Sequence, residues 1–184
     1  MADTASSIRV LQVDDDPELA AVAVDFLERE DERITAEAVE DADSALSYLD
    51  DHAVDCIVSD HDMPGMNGLE LLETVRETYP DLPFILFTGK GSEEIASEAI
   101  SAGVSDYLQK GTGTEQYELL ANRIGNAVEQ YRASRAAERA EERLRALTEN
   151  TDDALWMYTG DWSELHFINS AYEEIWGQST ERLR

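Results

Sequence analysis

Lysine is nearly missing from this chain: of 184 residues only Lys90 and Lys110 are lysines, against twelve arginines and 41 acidic residues. The formal charge of −27 opposes any approach to a nucleic-acid phosphate backbone, so nucleic acid is not expected as a partner, whereas proteins or cations are. Acid excess with arginine favoured over lysine is the bias of a proteome living in concentrated salt, and a halophilic source is expected. Cysteine is limited to Cys56, in the short run Val54–Val58, which excludes an internal disulfide and reads as a small buried side chain. No apolar run approaches the roughly 18 to 20 residues needed to cross a bilayer. The opening MADTASSIRV has no basic region followed by an apolar one, so a soluble, cytoplasmic chain without membrane contact is expected.

What is present falls into zones. Residues 1–112 carry a net charge of −21, residues 113–147 are neutral, and residues 148–184 carry −6. In the first zone short apolar runs alternate with segments of helical period, the pattern of βαβ units and a parallel sheet. Strands are expected at Ile8–Val13, Arg33–Val39, Cys56–Ser59, Phe84–Thr88 and Asp106–Gln109. Helices are expected to open at Asp16 with Pro17, at Asp43 and Ser44, at Asn67 and Gly68, and at Ser92 before Glu93 and Glu94. The result is an α/β fold, a doubly wound five-stranded parallel sheet, whose ligands bind beyond the carboxyl ends of the strands. The second zone, from about Thr114 to Thr148, reads as one long helix. Leu120, Ile124 and Val128 can pack on the sheet, while Ala137, Ala140, Leu144 and Leu147 follow at coiled-coil spacing. That seam is too short to stand alone. Residues 6–132 are therefore expected to form one domain, 133–147 a helical linker, and 148–184 a small tail.

Specific chemistry appears where strands end. The first runs into Asp14, Asp15 and Asp16; the third into Asp60, His61 and Asp62; the fourth ends at Thr88 and the fifth at Lys110. If these ends open on one cleft, it gathers Asp14, Asp15, Asp60 and Asp62 with one hydroxyl and one ammonium. Two like charges about 4 Å apart repel by roughly 4 kcal/mol even at an effective dielectric near 20, so such a cluster requires a cation. All-oxygen ligands with room for water suit Mg²⁺. A carboxylate beside Mg²⁺, with a lysine as counter-charge, can attack phosphorus and form an aspartyl phosphate.

In this order the motifs resemble the receiver domain of two-component response regulators, over about residues 6–132. The resemblance implies a flavodoxin-like (βα)5 fold in which Asp14 and Asp15 are the acidic pair that binds Mg²⁺ and Asp60 is the phosphoacceptor. The backbone carbonyl of Asp62 would complete the metal's protein ligands. Thr88 would close on the phosphoryl group, Lys110 would pair with it, and Tyr107 would be the aromatic switch beside the output face. It also implies a histidine kinase or phosphotransfer protein as partner, and catalysis confined to the chain's own phosphoryl transfer and dephosphorylation. No ATP-binding or phosphoacceptor-histidine motif occurs, so the chain is not expected to be a kinase. The family usually has proline after the lysine, through a cis peptide; here Gly111 stands in that place.

Other readings compete. Asp60, His61 and Asp62 form the DxD pattern of haloacid-dehalogenase-type phosphatases, but that family carries a further acidic pair downstream of its lysine and residues 111–132 offer no such pair. A phosphorylation-independent adaptor of the same fold is the remaining alternative. Lys90 is placed to reach Asp62 across the mouth of the cleft; such an exposed pair stabilises by only about 0 to 1 kcal/mol but would obstruct hydrolytic water and lengthen the phosphorylated lifetime. His52, His61 and His166 lack metal-ligand spacing.

From Leu147 onward the chain resembles the opening of a PAS sensor domain. Strands are expected at Ala154–Tyr158 and Leu165–Ile168, then Asn169 and a short helix at Ala171–Trp176. For Trp156, Trp162 and Trp176 plain core or interface packing is an equal alternative to a PAS role. A longer protein, receiver then PAS, is expected, paired as a homodimer through linker and tail.

Overall fold

A computed structural model describes residues 7–89, 93–111, 113–149, 151–161 and 163–177. Lys90, Ser92 and Trp162, singled out above, lie outside the described residues. The chain divides into two compact units, residues 1–132 and 133–184.

In the first unit, β1 (Ile8–Val13), β2 (Ile34–Val39), β3 (Cys56–Ser59), β4 (Phe84–Thr88) and β5 (Asp106–Gln109) alternate with α1 (Pro17–Glu30), α2 (Ala42–Asp51), α3 (Gly68–Thr78), α4 (Glu93–Ala102) and the start of α5 (Glu115–Glu149). The strands form one parallel sheet in the order β2-β1-β3-β4-β5. Chain order reverses between β1 and β3, and at such a switch point the loops leave in opposite directions and open a crevice. Central strands β3 and β4 are buried at every position, because helices cover both faces. On the side of α1 and α5 lie Ile8, Val10, Val58, Ile85 and Phe87 with Leu120, Ile124 and Val128; on the other lie Leu11, Val13, Ile57 and Leu86 with Leu71, Leu72 and Val75. Period-two alternation along each strand sorts these residues between the two layers.

Side-chain caps set the helix starts. The Asp16 carboxylate accepts from the amides of Glu18 and Leu19 with Pro17 in the first turn, and Asn67 and Glu70 form a capping box on α3. For α2 the expected start at Asp43 and Ser44 is corrected to Ala42: Asp41 is the cap, its carboxylate accepting from the Ser44 amide at 2.7 Å. Strand β2 begins at Ile34 rather than Arg33, whose amide donates to the Asp31 carboxylate instead. Gly103 ends α4 with φ +84°, a conformation that favours glycine.

At the amino-terminal edge of the sheet, Asp55 gathers the backbone amide and guanidinium of Arg9 and the guanidinium of Arg132 at 3.1 Å. Arg132 also donates to the Ser7 carbonyl at 2.6 Å, so α5 is tied to both β1 and β3. Burial pushes the Asp55 carboxyl up, but hydrogen bonds from Arg9 and Arg132 outweigh it and hold the group below its ordinary value. A carboxylate with a lowered folded-state pKa contributes stability that is complete above the unfolded value near 3.9 and is lost as pH falls through the folded value. Both arginines keep solvent access, so Asp55→Ala is expected to cost only about 1 to 2 kcal/mol near pH 7. Thermal unfolding of both proteins should show that difference shrinking below about pH 4.

The second unit holds the carboxyl-terminal part of α5, an antiparallel pair β6 (Trp156–Tyr158) and β7 (Leu165–Ile168), and α6 (Ala171–Trp176). Fully buried Asn169 organises it. Its amide nitrogen donates to the carbonyls of Thr148 and Asp153, and its amide oxygen accepts from Leu155. With Leu155 so engaged, β6 starts at Trp156 and not at Ala154. Trp156 and Trp176 meet edge to face, centroids 6.2 Å apart, yet each stays 50% exposed. No described helix is long and apolar enough to cross a membrane.

Candidate functional site

Sheet register brings distant residues together. Val13 of β1 pairs with Val39 of β2 and Ser59 of β3, so the residues that follow, Asp14 and Asp60, emerge side by side. The Asp60 amide donates to the Val13 carbonyl at 2.8 Å and fixes that alignment. One oxygen from each of Asp14, Asp15 and Asp60 lies within 4.8 Å of the others. Asp14 is 2% exposed and Asp60 8%, whereas Asp15 is open to solvent. The Asp62 carboxylate is exposed and falls outside this group.

The cation arrives from the far edge of the sheet. The backbone amide of Lys110 donates to the Thr88 carbonyl at 2.9 Å, continuing the pairing of β4 with β5. Its ammonium meets Asp14 Oδ2 at 2.6 Å and Asp60 Oδ1 at 3.4 Å. Below it the Phe87 ring centroid is 5.9 Å away, and Tyr117 of α5 packs between Phe87 and Phe26. Burial drives the Asp14 carboxyl above its ordinary value even though Lys110 pulls it down. One ammonium thus leaves three carboxylates undercompensated, the electrostatic condition for a bound cation. Asp60 Oδ1 is buried and, among the described residues, faces only the Lys110 ammonium, at 3.4 Å, so it keeps a lone pair for such an ion. Three carboxylate oxygens, two buried and one on solvent-exposed Asp15, fit a hard divalent cation such as Mg²⁺ that keeps part of its water shell.

Thr88 is fully buried as the last residue of β4, and Tyr107 is half-buried in β5 with its hydroxyl atom inside the fold. Two further residues were not apparent in the sequence as site residues. Gly68, read as a turn glycine at a helix start, lies against the turn that carries Asp60: a Cβ there would overlap the Asp60 carbonyl oxygen and approach Leu86 Cδ2 to 2.8 Å. Gln116, in the first turn of α5, accepts through Oε1 from the backbone amide of Gly111. No sequence signal marks either contact. Lys90, the expected partner of Asp62, is outside the described residues, and there is no cis peptide among those described.

A family profile for the response regulator receiver domain matches residues 10–123. The chain belongs to that family. A PAS domain profile matches residues 142–184. Among curated response regulators, residues of this chain are 39% identical over 102 positions to the response regulator protein FleR of Pseudomonas aeruginosa, covering 55% of this chain and 21% of that protein. Against the DNA-binding transcriptional regulator NtrC of Proteus hauseri the identity is 32% over 142 positions, 77% of this chain and 29% of the other. The chain therefore spans well under half the length of these relatives. The receiver domain of Methanospirillum hungatei described as CheY-like superposes with a TM-score of 0.62 at 26% identity, over 70% of this chain and 99% of that one. The signal receiver domain of an HD domain-containing protein from Pseudomonas fluorescens gives 0.61 at 28%, over 69% and 98%. The receiver fold, with its flavodoxin-like strand order and long carboxyl-terminal helix, is the one expected from the motifs.

Proposed function

We propose that this receiver is a phosphorylation-controlled switch in which Asp60 takes a phosphoryl group from the phosphohistidine of a partner histidine kinase or phosphotransfer protein. The observation that carries this reading is the convergence of Asp14, Asp15 and Asp60 with the Lys110 ammonium around one small volume at the sheet's switch point. Asp14, Asp15 and Asp60, with the Asp62 backbone carbonyl, would hold Mg²⁺. Bound there, the ion supplies charge neutralisation for the phosphoryl oxygens.

An Asp60 carboxylate oxygen attacks phosphorus; as the new P–O bond forms, the P–N bond breaks and its electron pair returns to the donor imidazole, which takes up a proton. Lys110 neutralises charge gathering on the transferring oxygens, and the Thr88 hydroxyl donates to one of them. Pulling Thr88 and Lys110 toward a new dianionic group biases the β4 and β5 ends, with Tyr107 as the half-buried group free to change its packing. Asp62 and Lys90 would slow hydrolytic water at the mouth. The exposed Leu144 and Leu147 support pairing of two copies through linker and tail, read by sedimentation of the full chain.

Acetyl phosphate with Mg²⁺ tests the reading. The full chain is expected to gain one base-labile phosphoryl group, and Asp60→Asn or chelation of the metal to abolish it. A chain that stays unmodified while folded is instead the adaptor, and an Asp60→Asn protein that still labels would place the acceptor elsewhere.

A further inference from the structure

Lys110 must hold its ammonium between Asp14 and Asp60, yet the residue after it is the one least able to hold a backbone in place. Gly111 does not use the freedom of glycine: its φ is not in the left-handed region, and a Cβ there would meet only Gln116 Oε1 at 3.5 Å, an ordinary contact. No steric or conformational demand therefore explains a glycine at this position, and the segment would be loose without another restraint. That restraint is the hydrogen bond from the Gly111 amide to the Gln116 side chain.

Gln116 is well placed to give that support. It is half-buried in the first turn of α5, beside Tyr117, whose ring is locked between Phe26 at 4.9 Å and Phe87 at 5.9 Å. The helix start is itself closed by the Tyr117 amide donating to the Thr114 carbonyl. On its other side, Lys110 is held through its own amide by the Thr88 carbonyl. The lysine thus sits between two backbone restraints, one belonging to the sheet and one supplied by a side chain.

We infer that Gln116 is a positioning residue for phosphoryl transfer: its amide oxygen fixes the backbone after Lys110 and so keeps the ammonium in register with Asp14 and Asp60. This inference rests on the reading of Asp60 as phosphoacceptor. A group acting through another's position changes the maximal rate more than donor binding, and any side chain that still accepts a hydrogen bond at that place preserves it.

The test uses the full chain and three variants. Gln116→Met keeps length and removes the acceptor, Gln116→Glu keeps length and acceptor, and Gly111→Ala with Gln116→Met stiffens the freed segment. With acetyl phosphate and Mg²⁺, Gln116→Met is expected to lower the maximal phosphorylation rate about three- to tenfold, the worth of one hydrogen bond, with unchanged half-saturation by donor. Gln116→Glu should recover most of that rate, and the double variant part of it. Amide hydrogen exchange at Gly111, read by NMR without donor or metal, should accelerate in Gln116→Met and stay slow in Gln116→Glu. Wild-type rate and Gly111 exchange in Gln116→Met would overturn the inference, as would a Gln116→Glu protein as slow as Gln116→Met. Failure of the wild-type chain to accept phosphate overturns the phosphoacceptor reading instead; Gly111 exchange still reports whether the restraint exists.

Discussion

Lys110→Ala is expected to slow phosphorylation of Asp60 by acetyl phosphate about a hundredfold to a thousandfold, the usual cost of removing one preorganised charge-stabilising donor. The reason is local. The ammonium touches both buried carboxylates and is itself only 16% exposed by side chain, so water cannot take over its function at the same place. Lys110→Arg should not rescue, because a planar guanidinium cannot occupy a volume shaped for a compact ammonium between Asp14 and Asp60. The substitution should leave Mg²⁺ binding, measured by calorimetry, no weaker than in the parent, since it removes a competing cation while sparing every carboxylate of the group. A Lys110→Ala chain that labels at the parent rate would show that the observed ion pairs hold the fold together and take no part in the chemistry.

Gly68→Val is expected to destabilise the first unit by more than about 3 kcal/mol, and Gly68→Ala by about 1 to 3. Helix propensity alone gives the opposite sign, because alanine is favoured over glycine in a helix by about 1 kcal/mol. The difference is the surroundings of the missing methyl: the group it would strike is the backbone oxygen of Asp60, which cannot swing aside as a side-chain tip does. That carbonyl is also tied to the Ser59 hydroxyl at 2.7 Å, and the Gly68 amide to the His61 carbonyl at 3.0 Å, so any relief displaces the whole turn that carries Asp60. Thermal unfolding decides: a Gly68→Ala chain at least as stable as the parent would mean that the turn yields without cost. Where the variant folds, its phosphorylation rate should fall too, since Asp60 moves with the turn.

These two residues mark the difference between what could be read and what could not. Lys110 was legible because a lysine in a chain with only two stands out, and because it ends a strand in a series whose other ends carry Asp14, Asp60 and Thr88. Gly68 was legible only as punctuation before a helix; that it faces Asp60 depends on how α3 docks, which no local pattern encodes. The displaced start of α2 has a similar origin. In so acidic a segment Asp41, Asp43 and Ser44 are all competent caps, and the choice falls on Asp41 because its carboxylate reaches both the amide and hydroxyl of Ser44.

By itself the sequence determined the alternation of strands and helices, the all-parallel sheet, and the acidic and basic residues that end the strands, because periodicity and charge are properties of neighbours along the chain. Tertiary structure alone decided that the Lys110 ammonium rests 2.6 Å from a carboxylate 96 positions away, that the Gln116 side chain accepts from the amide of the next residue, Gly111, and that Arg132 shares Asp55 with Arg9. Those pairings are fixed by sheet register and helix docking, which bring together side chains whose separation in sequence carries no signal of their contact.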